Sequence, residues 1–520
     1  MKQFLKIYLW QVISLLSGFA TMFVVTPFLA SNQNYFGIYS FVVSLNLFLS
    51  YADFGFLTAG VKFASEAYAR NDREEEEKVL GFVFFIMFLV FCLFGLLILF
   101  LAFNPQHILK GLSTTTDLNL AKNLFLVFVF SLPVLIAHRS LQLIFNIRLH
   151  DYLYQRVFSL LNLLKILMAF YFFRNGGYHI VEYYLFTQVI TLVSVLIGGI
   201  LAIKYFGYNF IALIKAVKFS PEIYSKSKKL AFNSLFVTIS WILYYEMDSL
   251  VIGKFVGLKE VAIFNICISV MMLSRSLYSI IYNPFTAKFN HFIGRDEMNK
   301  FTLAYNKILM IGLPFSVIPT TVLILTMKSF IYTWVGVSYR SSIPIITIMF
   351  ASYYYTFLSN PTSIAMVAMQ RIRGLYLSSA LLPLIYWIGI ASTFNYLNLM
   401  AFGLFKFLAI TVSATLYFYY SQKMFFINWK RFFSRSILPS LATIVILIFF
   451  NFIFKENLPT TKGRLELLQY LGFVLLYFII GIMSYYLLSK DFRKLVKEIY
   501  IELFYSLMPS RNHKKEKFID

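Results

Sequence analysis

The sequence predicts an all-α, polytopic membrane protein of about 14 transmembrane helices, built as two pseudo-symmetric six-helix lobes plus two C-terminal helices. Three observations predict it. Of 520 residues, 59% are hydrophobic and only 13% charged, where a soluble chain carries about a quarter charged residues. The apolar residues form continuous runs of about 20 rather than an alternating pattern, which suits helices and not barrel strands. Finally, the first half is echoed in the second.

The runs fall in order. A first lobe, 1–206, holds spans at about 7–30, 36–60, 79–103, 122–146, 153–173 and 180–203. The first run follows Lys2 and Lys6 as a signal peptide would. It is too long for a signal core and no small-x-small cleavage site follows, so it is read as a span. A connector, 207–229, repeats Phe210, Leu213, Ile214 and Val217 at helical spacing with Lys215 and Lys218 between them. That pattern fits an amphipathic helix on the inner leaflet, with a basic unstructured linker as the alternative. A second lobe, 230–420, holds spans at about 230–253, 260–286, 306–327, 341–367, 374–394 and 397–419. Two more follow within 421–488, at about 436–454 and 467–488, and a basic tail occupies 489–520. Pro27, Pro133, Pro314, Pro319, Pro361 and Pro383 interrupt spans, where prolines permit kinks.

The net charge of +23 resides mainly in short loops between apolar runs, which points to a membrane rather than to nucleic acid. With the N-terminus inside, inner connectors and tails carry about three times as many Lys and Arg as outer loops. Both termini are therefore expected on the cytoplasmic side of the membrane. No outer loop is long enough for a sizeable extracellular domain. Cys92 and Cys267 lie in apolar runs and match no disulfide framework or metal spacing, and the six histidines are scattered. No cofactor or metal is implied.

Displaced by about 225 residues, the halves correspond. Tyr35-Phe36-Gly37-Ile38-Tyr39-Ser40 falls on Glu260-Val261-Ala262-Ile263-Phe264-Asn265, and Arg70-Asn71-Asp72 falls on Gly294-Arg295-Asp296. Six spans restore the side of origin, so the repeat is parallel, and such lobes enclose a central site open alternately to each side.

A charge at mid-span costs about 2.5–3.5 kcal/mol on insertion scales, so each demands a reason. Lys165, Arg275 and Lys406 lie deep in spans of both lobes. They either line a basic cavity or are satisfied privately by carbonyls, neighbours or snorkelling. Asp53 and Arg139 lie near inner span ends, as an ion pair or as gating and coupling groups. Glu246 and Asp248 either bind a coupling proton or sodium ion or pair with Lys254. His138 reads as a hydrogen-bonded packing residue, and Glu74–Glu77 as a solvated face capped by Asp72. Trp334 and Trp429 suit interfacial belts. Trp241, Tyr244 and Tyr245 either stack on sugar rings or make lipid and helix contacts.

The stretch Phe36-Gly37-Ile38-Tyr39, Tyr51-Ala52-Asp53-Phe54-Gly55, Lys62-Phe63-Ala64-Ser65-Glu66 and Asn71-Asp72 resembles the signature region of the polysaccharide (Wzx-type) flippases, of the multidrug/oligosaccharidyl-lipid/polysaccharide exporter superfamily. The second half departs from the pattern, with Gly257-Leu258-Lys259 where the family often repeats Gly-x-Tyr. The resemblance implies flipping of undecaprenyl-diphosphate-linked oligosaccharide units for O-antigen, capsule or exopolysaccharide, without bond chemistry and with a polysaccharide polymerase as partner. Lys165, Arg275 and Lys406 would then neutralise the diphosphate. Rival readings are a lipid II flippase, a cation-coupled drug antiporter of the same superfamily, and a membrane glycosyltransferase or polymerase.

Overall fold

The computed structural model describes residues 2–49, 51, 55–174, 177–425, 427 and 429–507. The elements are helical, with no strand among the described residues. The first half runs α1 (Lys2–Leu29), α2 (Gln33–Leu49), α3 (Phe56–Ala69), α4 (Arg73–Phe103), α5 (Thr115–Ile147), α6 (Asp151–Phe172) and α7 (Ile180–Phe206). A short α8 (Phe210–Lys215) leads to α9 (Pro221–Tyr245), α10 (Asp248–Phe255), α11 (Leu258–Gly294), α12 (Met298–Trp334), α13 (Ser342–Ala351) and α14 (Thr356–Ala368). The remainder is α15 (Ile372–Leu397), α16 (Leu399–Phe425), α17 (Trp429–Phe432), α18 (Leu438–Phe454), α19 (Arg464–Leu488) and α20 (Lys490–Leu507).

Among the described residues, twelve helices are long and apolar enough to cross a membrane, or thirteen if the bent pair α9–α10 is counted as one span. The chain is a multi-pass membrane protein. The remaining expected span, 36–60, is divided between α2, of 17 residues, and α3. The division follows from Gly55, which takes φ +77° just before α3. A Cβ there would also lie 2.3 Å from the Ala231 carbonyl oxygen of α9. Only glycine satisfies both demands.

The repeat is visible in the helix ends. Gln33, Ala69 and Arg73 begin or end helices, and each lies about 225 residues before a matching boundary at Leu258, Gly294 and Met298. Asn71 and Asp296, at the same displacement, both take positive φ, 58° and 57°. Two helices therefore meet through the same left-handed turn in each half, where Asn and Asp are the best-tolerated non-glycine residues.

Contacts divide the chain into two compact units, 1–280 with 334–349 and 376–409, and 281–333 with 350–375 and 410 to the C-terminus. The division thus cuts through α11 and other long helices rather than falling at the connector. In the first unit α1 packs on α6, α5 on α4 and α7, and α3 on α4 and α9. The connector is shorter than expected. Ser220 caps α9 and Pro221 opens it, so Lys226, Lys228 and Lys229 ride on the first turns of a span helix.

The acidic run is not merely a solvated face. Asp72 caps α4 by accepting from the Glu75 amide at 2.9 Å, as its spacing predicts. Glu76, however, is buried. Arg148 Nη2 donates to both its carboxylate oxygens at 2.8 and 2.9 Å, and Tyr208 of the connector donates a third bond. Burial and the adjacent carboxylate push the Tyr208 phenol well above its usual range, so it remains a donor. The Arg148 guanidinium lies over the rings of Tyr68, Tyr208 and Phe206. This cluster ties the connector to the ends of α3, α4 and α5. Trp334 is likewise not an interfacial belt residue: it is buried, and its Nε1 donates to the Phe23 carbonyl at 3.2 Å.

In the second unit Tyr305 stacks on Phe425 at 3.9 Å and shares a 2.7 Å hydrogen bond with Thr362. Most of the expected tail is α20, fastened by Lys307–Glu498 at 3.3 Å and Arg435–Asp491 at 3.4 Å.

Gly37, in the Phe-Gly-Ile-Tyr stretch, sits where α2 meets the start of α11. A Cβ there would lie 2.1 Å from the Leu258 carbonyl oxygen. Gly37→Ala is expected to cost about 1–3 kcal/mol through forced backbone separation. Gly199→Ala, with nothing within 4 Å, is expected to be neutral or slightly stabilising. Thermal unfolding in detergent checks both.

Candidate functional site

The polar centre of the first unit forms around the break between α9 and α10, which bend by 47°. Ending α9 frees carbonyls, and Trp387 Nε1 takes the Leu243 carbonyl at 2.8 Å. Asp248 opens α10, where a carboxylate meets the favourable end of the helix dipole. Asp248 and Lys406 are both buried and form an ion pair, and Tyr386 donates a second bond to Asp248. The Lys406 ammonium also faces the rings of Tyr386 at 4.8 Å, Tyr244 at 5.2 Å and Phe264 at 5.7 Å. Tyr244 Oη donates to the Lys406 carbonyl at 2.7 Å.

Arg275 of α11 is held differently. Its guanidinium lies 5.3 Å from the Trp241 ring and 4.8 Å from the Tyr245 ring. Those rings are themselves 4.4 Å apart. Glu246 is buried at the break, within electrostatic reach of Arg275, Asp248 and Lys406. No carboxylate among the described residues lies within ion-pair distance of Arg275. Planar guanidinium on aromatic faces is a low-entropy way to present a half-buried cation.

The structure thus joins four residues that sequence reasoning treated as two sets, Glu246 and Asp248 with Arg275 and Lys406. Lys406 is not a free cavity cation, because Asp248 meets its charge. Asp248 pairs with Lys406 rather than Lys254, which donates to the His107 carbonyl. Trp241 and Tyr245 hold Arg275, a role their i, i+4 spacing on one helix face made possible. Tyr386 and Trp387 were not anticipated, since nothing local marks them.

Lys165 belongs to a second group, on α6. Its Nζ lies 5.5 Å over the Phe158 ring, which packs 4.9 Å from His138. Among the described residues no carboxylate is within ion-pair distance of Lys165. Arg139 follows His138 on α5, and Asp53, its expected partner, lies outside the described residues. His138 is hydrogen-bonded, to Tyr154 at 2.6 Å and Gln142 at 3.1 Å.

The second unit contains a cavity of about 690 Å³, walled almost wholly by apolar atoms of residues such as Leu313, Val317, Tyr354, Phe418 and Ile444. No group of three His, Cys, Asp or Glu that could hold a metal ion occurs among the described residues.

The family model described as polysaccharide biosynthesis protein matches residues 1–288. No curated protein matches in sequence. Among solved structures, the lipid II flippase MurJ in an inward closed conformation superposes with TM-score 0.67 at 14% identity, covering 96% of this chain and 99% of that one. An inward-facing multidrug-resistance MATE transporter of the MOP superfamily gives 0.59 at 12% identity, over 78% and 94%. A MOP superfamily transporter from Pyrococcus furiosus, described by a reversed polarity of its binding pocket, gives 0.57 at 14% identity, over 81% and 95%. At such identities the likeness is one of fold.

Removing one partner of a buried pair strands the other, at about 3–5 kcal/mol. Asp248→Asn or Lys406→Met alone is expected to lower thermal stability by that order. The double variant Asp248→Leu/Lys406→Met is expected to recover most of the loss, as unfolding of the three purified variants would show.

Proposed function

The chain belongs to the family of polysaccharide biosynthesis proteins, and on that footing we propose that it is a flippase for lipid-linked oligosaccharide. It carries undecaprenyl-diphosphate-linked repeat units across the bacterial inner membrane by alternating access, with both termini cytoplasmic. The units feed O-antigen, capsule or exopolysaccharide assembly, and a polymerase consumes them on the far side. No covalent bond changes.

The observation that carries this reading is Arg275. A guanidinium inside a membrane protein needs a counter-charge; Glu246 acts on this one from beyond ion-pair distance, no carboxylate among the described residues is within that distance, and two aromatic rings present it. A diphosphate supplies that charge and matches the bidentate donor geometry of Arg. Lys165 offers a second cation of the same kind. The apolar cavity of the second unit has the chemistry of an isoprenoid tail's surroundings. A drug-cation antiporter would want net acidic surroundings, whereas here one carboxylate is already spent on Lys406.

In a strain lacking the gene, surface polymer is expected to disappear while lipid-linked precursor accumulates on the cytoplasmic face. Arg275→Ala is expected to reproduce the defect, with polymer reduced at least about tenfold, a loss of roughly 1.4 kcal/mol or more in the limiting step. Arg275→Lys is expected to restore only part, since Lys is a point charge without the fork. Normal polymer together with altered drug or cation tolerance in the deletion strain would instead establish the antiporter reading.

A further inference from the structure

We infer that a polar pocket between α1, α5 and α6 is a recognition site for a sugar ring of the transported unit, an inference that rests on the flippase reading. The pocket has a volume of about 400 Å³, within the range of roughly 300–1,000 Å³ typical of small-molecule sites. Its walls are unlike those of the apolar helices around it. Four side-chain amides, Gln11, Gln142, Asn146 and Gln155, line it with the carboxylate of Asp151. Ser14, Tyr154 and His138 add two hydroxyls and an imidazole, and the rings of Phe145 and Phe158 complete it.

This donor and acceptor set selects among ligands. A sugar hydroxyl both donates and accepts, and side-chain amides do the same. A pyranose also has an apolar C–H face, for which aromatic side chains are suited. A phosphate would call for cations, yet among the described residues no Lys or Arg lines the pocket. A site serving a coupling ion alone would need neither four amides nor so large a space.

The groups are already oriented. His138 is fixed between Tyr154 and Gln142, at 2.6 and 3.1 Å. Asn146 Nδ2 donates to Asp151 Oδ2 at 3.3 Å, which leaves the other carboxylate oxygen for a ligand. Gln155 Oε1 is buried without a hydrogen-bond partner among the described residues. A buried acceptor left unpaired is costly, and a sugar hydroxyl would satisfy it. Lys165 Nζ and the His138 ring both pack on Phe158, at 5.5 and 4.9 Å, so a cation stands beside the pocket. A sugar lodged among the amides would carry its linked phosphate toward that cation. The pocket therefore sets which sugar is accepted, and the cations hold what all such lipids share.

The test is equilibrium binding to the full-length protein in nanodiscs. The probes are tritiated farnesyl diphosphate and farnesyl diphosphate carrying glucose, galactose or N-acetylglucosamine. The wild type is expected to bind at least one sugar-bearing probe about tenfold more tightly than farnesyl diphosphate, the scale of one or two well-made hydrogen bonds. Gln142→Leu with Gln155→Met is expected to bring the two affinities within about twofold while leaving farnesyl diphosphate binding unchanged. Equal affinity of the wild type for all four probes, or an advantage that survives the double variant, would overturn the pocket and leave the flippase reading intact. Retained farnesyl diphosphate binding in the double variant shows that it is folded. If farnesyl diphosphate does not bind the wild type, or binds Arg275→Ala equally well, the flippase reading fails and the inference that rests on it goes with it.

Discussion

A charge enclosed by apolar helices must be met where it stands, because no solvent is there to meet it. The Asp248–Lys406 pair is where this fold satisfies that constraint most fully. Asp248 can sit in the interior because the break between α9 and α10 gives it a helix N-terminus, a lysine and a tyrosine hydroxyl. The break is tolerable because Trp387 covers a freed carbonyl. Tyr386 and Trp387 come from α15 and Lys406 from α16. One aspartate therefore holds three helices in a common register, and the aromatic residues packed over the pair exclude water from it. Buried pairs of this kind add little net stability against a hydrophobic replacement, but they make wrong arrangements expensive.

Arg275 and Lys165 stand in contrast to Lys406. All three are cations in spans, yet among the described residues only Lys406 has a carboxylate in contact. On the proposed function, this difference separates framework from substrate contact. A lipid-linked sugar has an isoprenoid tail, a diphosphate and a polar head. The chain offers an apolar cavity, two cations with no carboxylate within ion-pair distance among the described residues, and an amide-lined pocket, a separate chemistry for each part.

The glycines of the family-like stretch have a physical explanation that needs no ligand. Gly37 admits the Leu258 carbonyl, and Gly55 adopts a left-handed conformation against Ala231. Both lie where first-half helices touch the start of the second half. The motif is therefore a record of close backbone approach. Glu76 makes the complementary point. Within a run of four glutamates it looks solvated, but Arg148, 72 residues away, and Tyr208, 132 residues away, bury it.

Hydropathy and loop charge are sums over neighbouring residues, so the sequence by itself determined the all-helical class, the places of most spans and the repeat, which returns in the helix ends from Gln33 to Met298. It also marked Arg275, Lys165, Asp248 and Lys406 as groups needing an explanation, since a charge in an apolar run is visible locally. Only the tertiary structure decided what each one meets. Asp248 and Lys406 are 158 residues apart, and Tyr386 is 138 residues from the same carboxylate. Nothing local distinguishes that lysine from Lys254 as the partner. The pocket between α1, α5 and α6 was invisible for the same reason: glutamines and an asparagine scattered over three helices gain chemical meaning only when packing turns them toward one space.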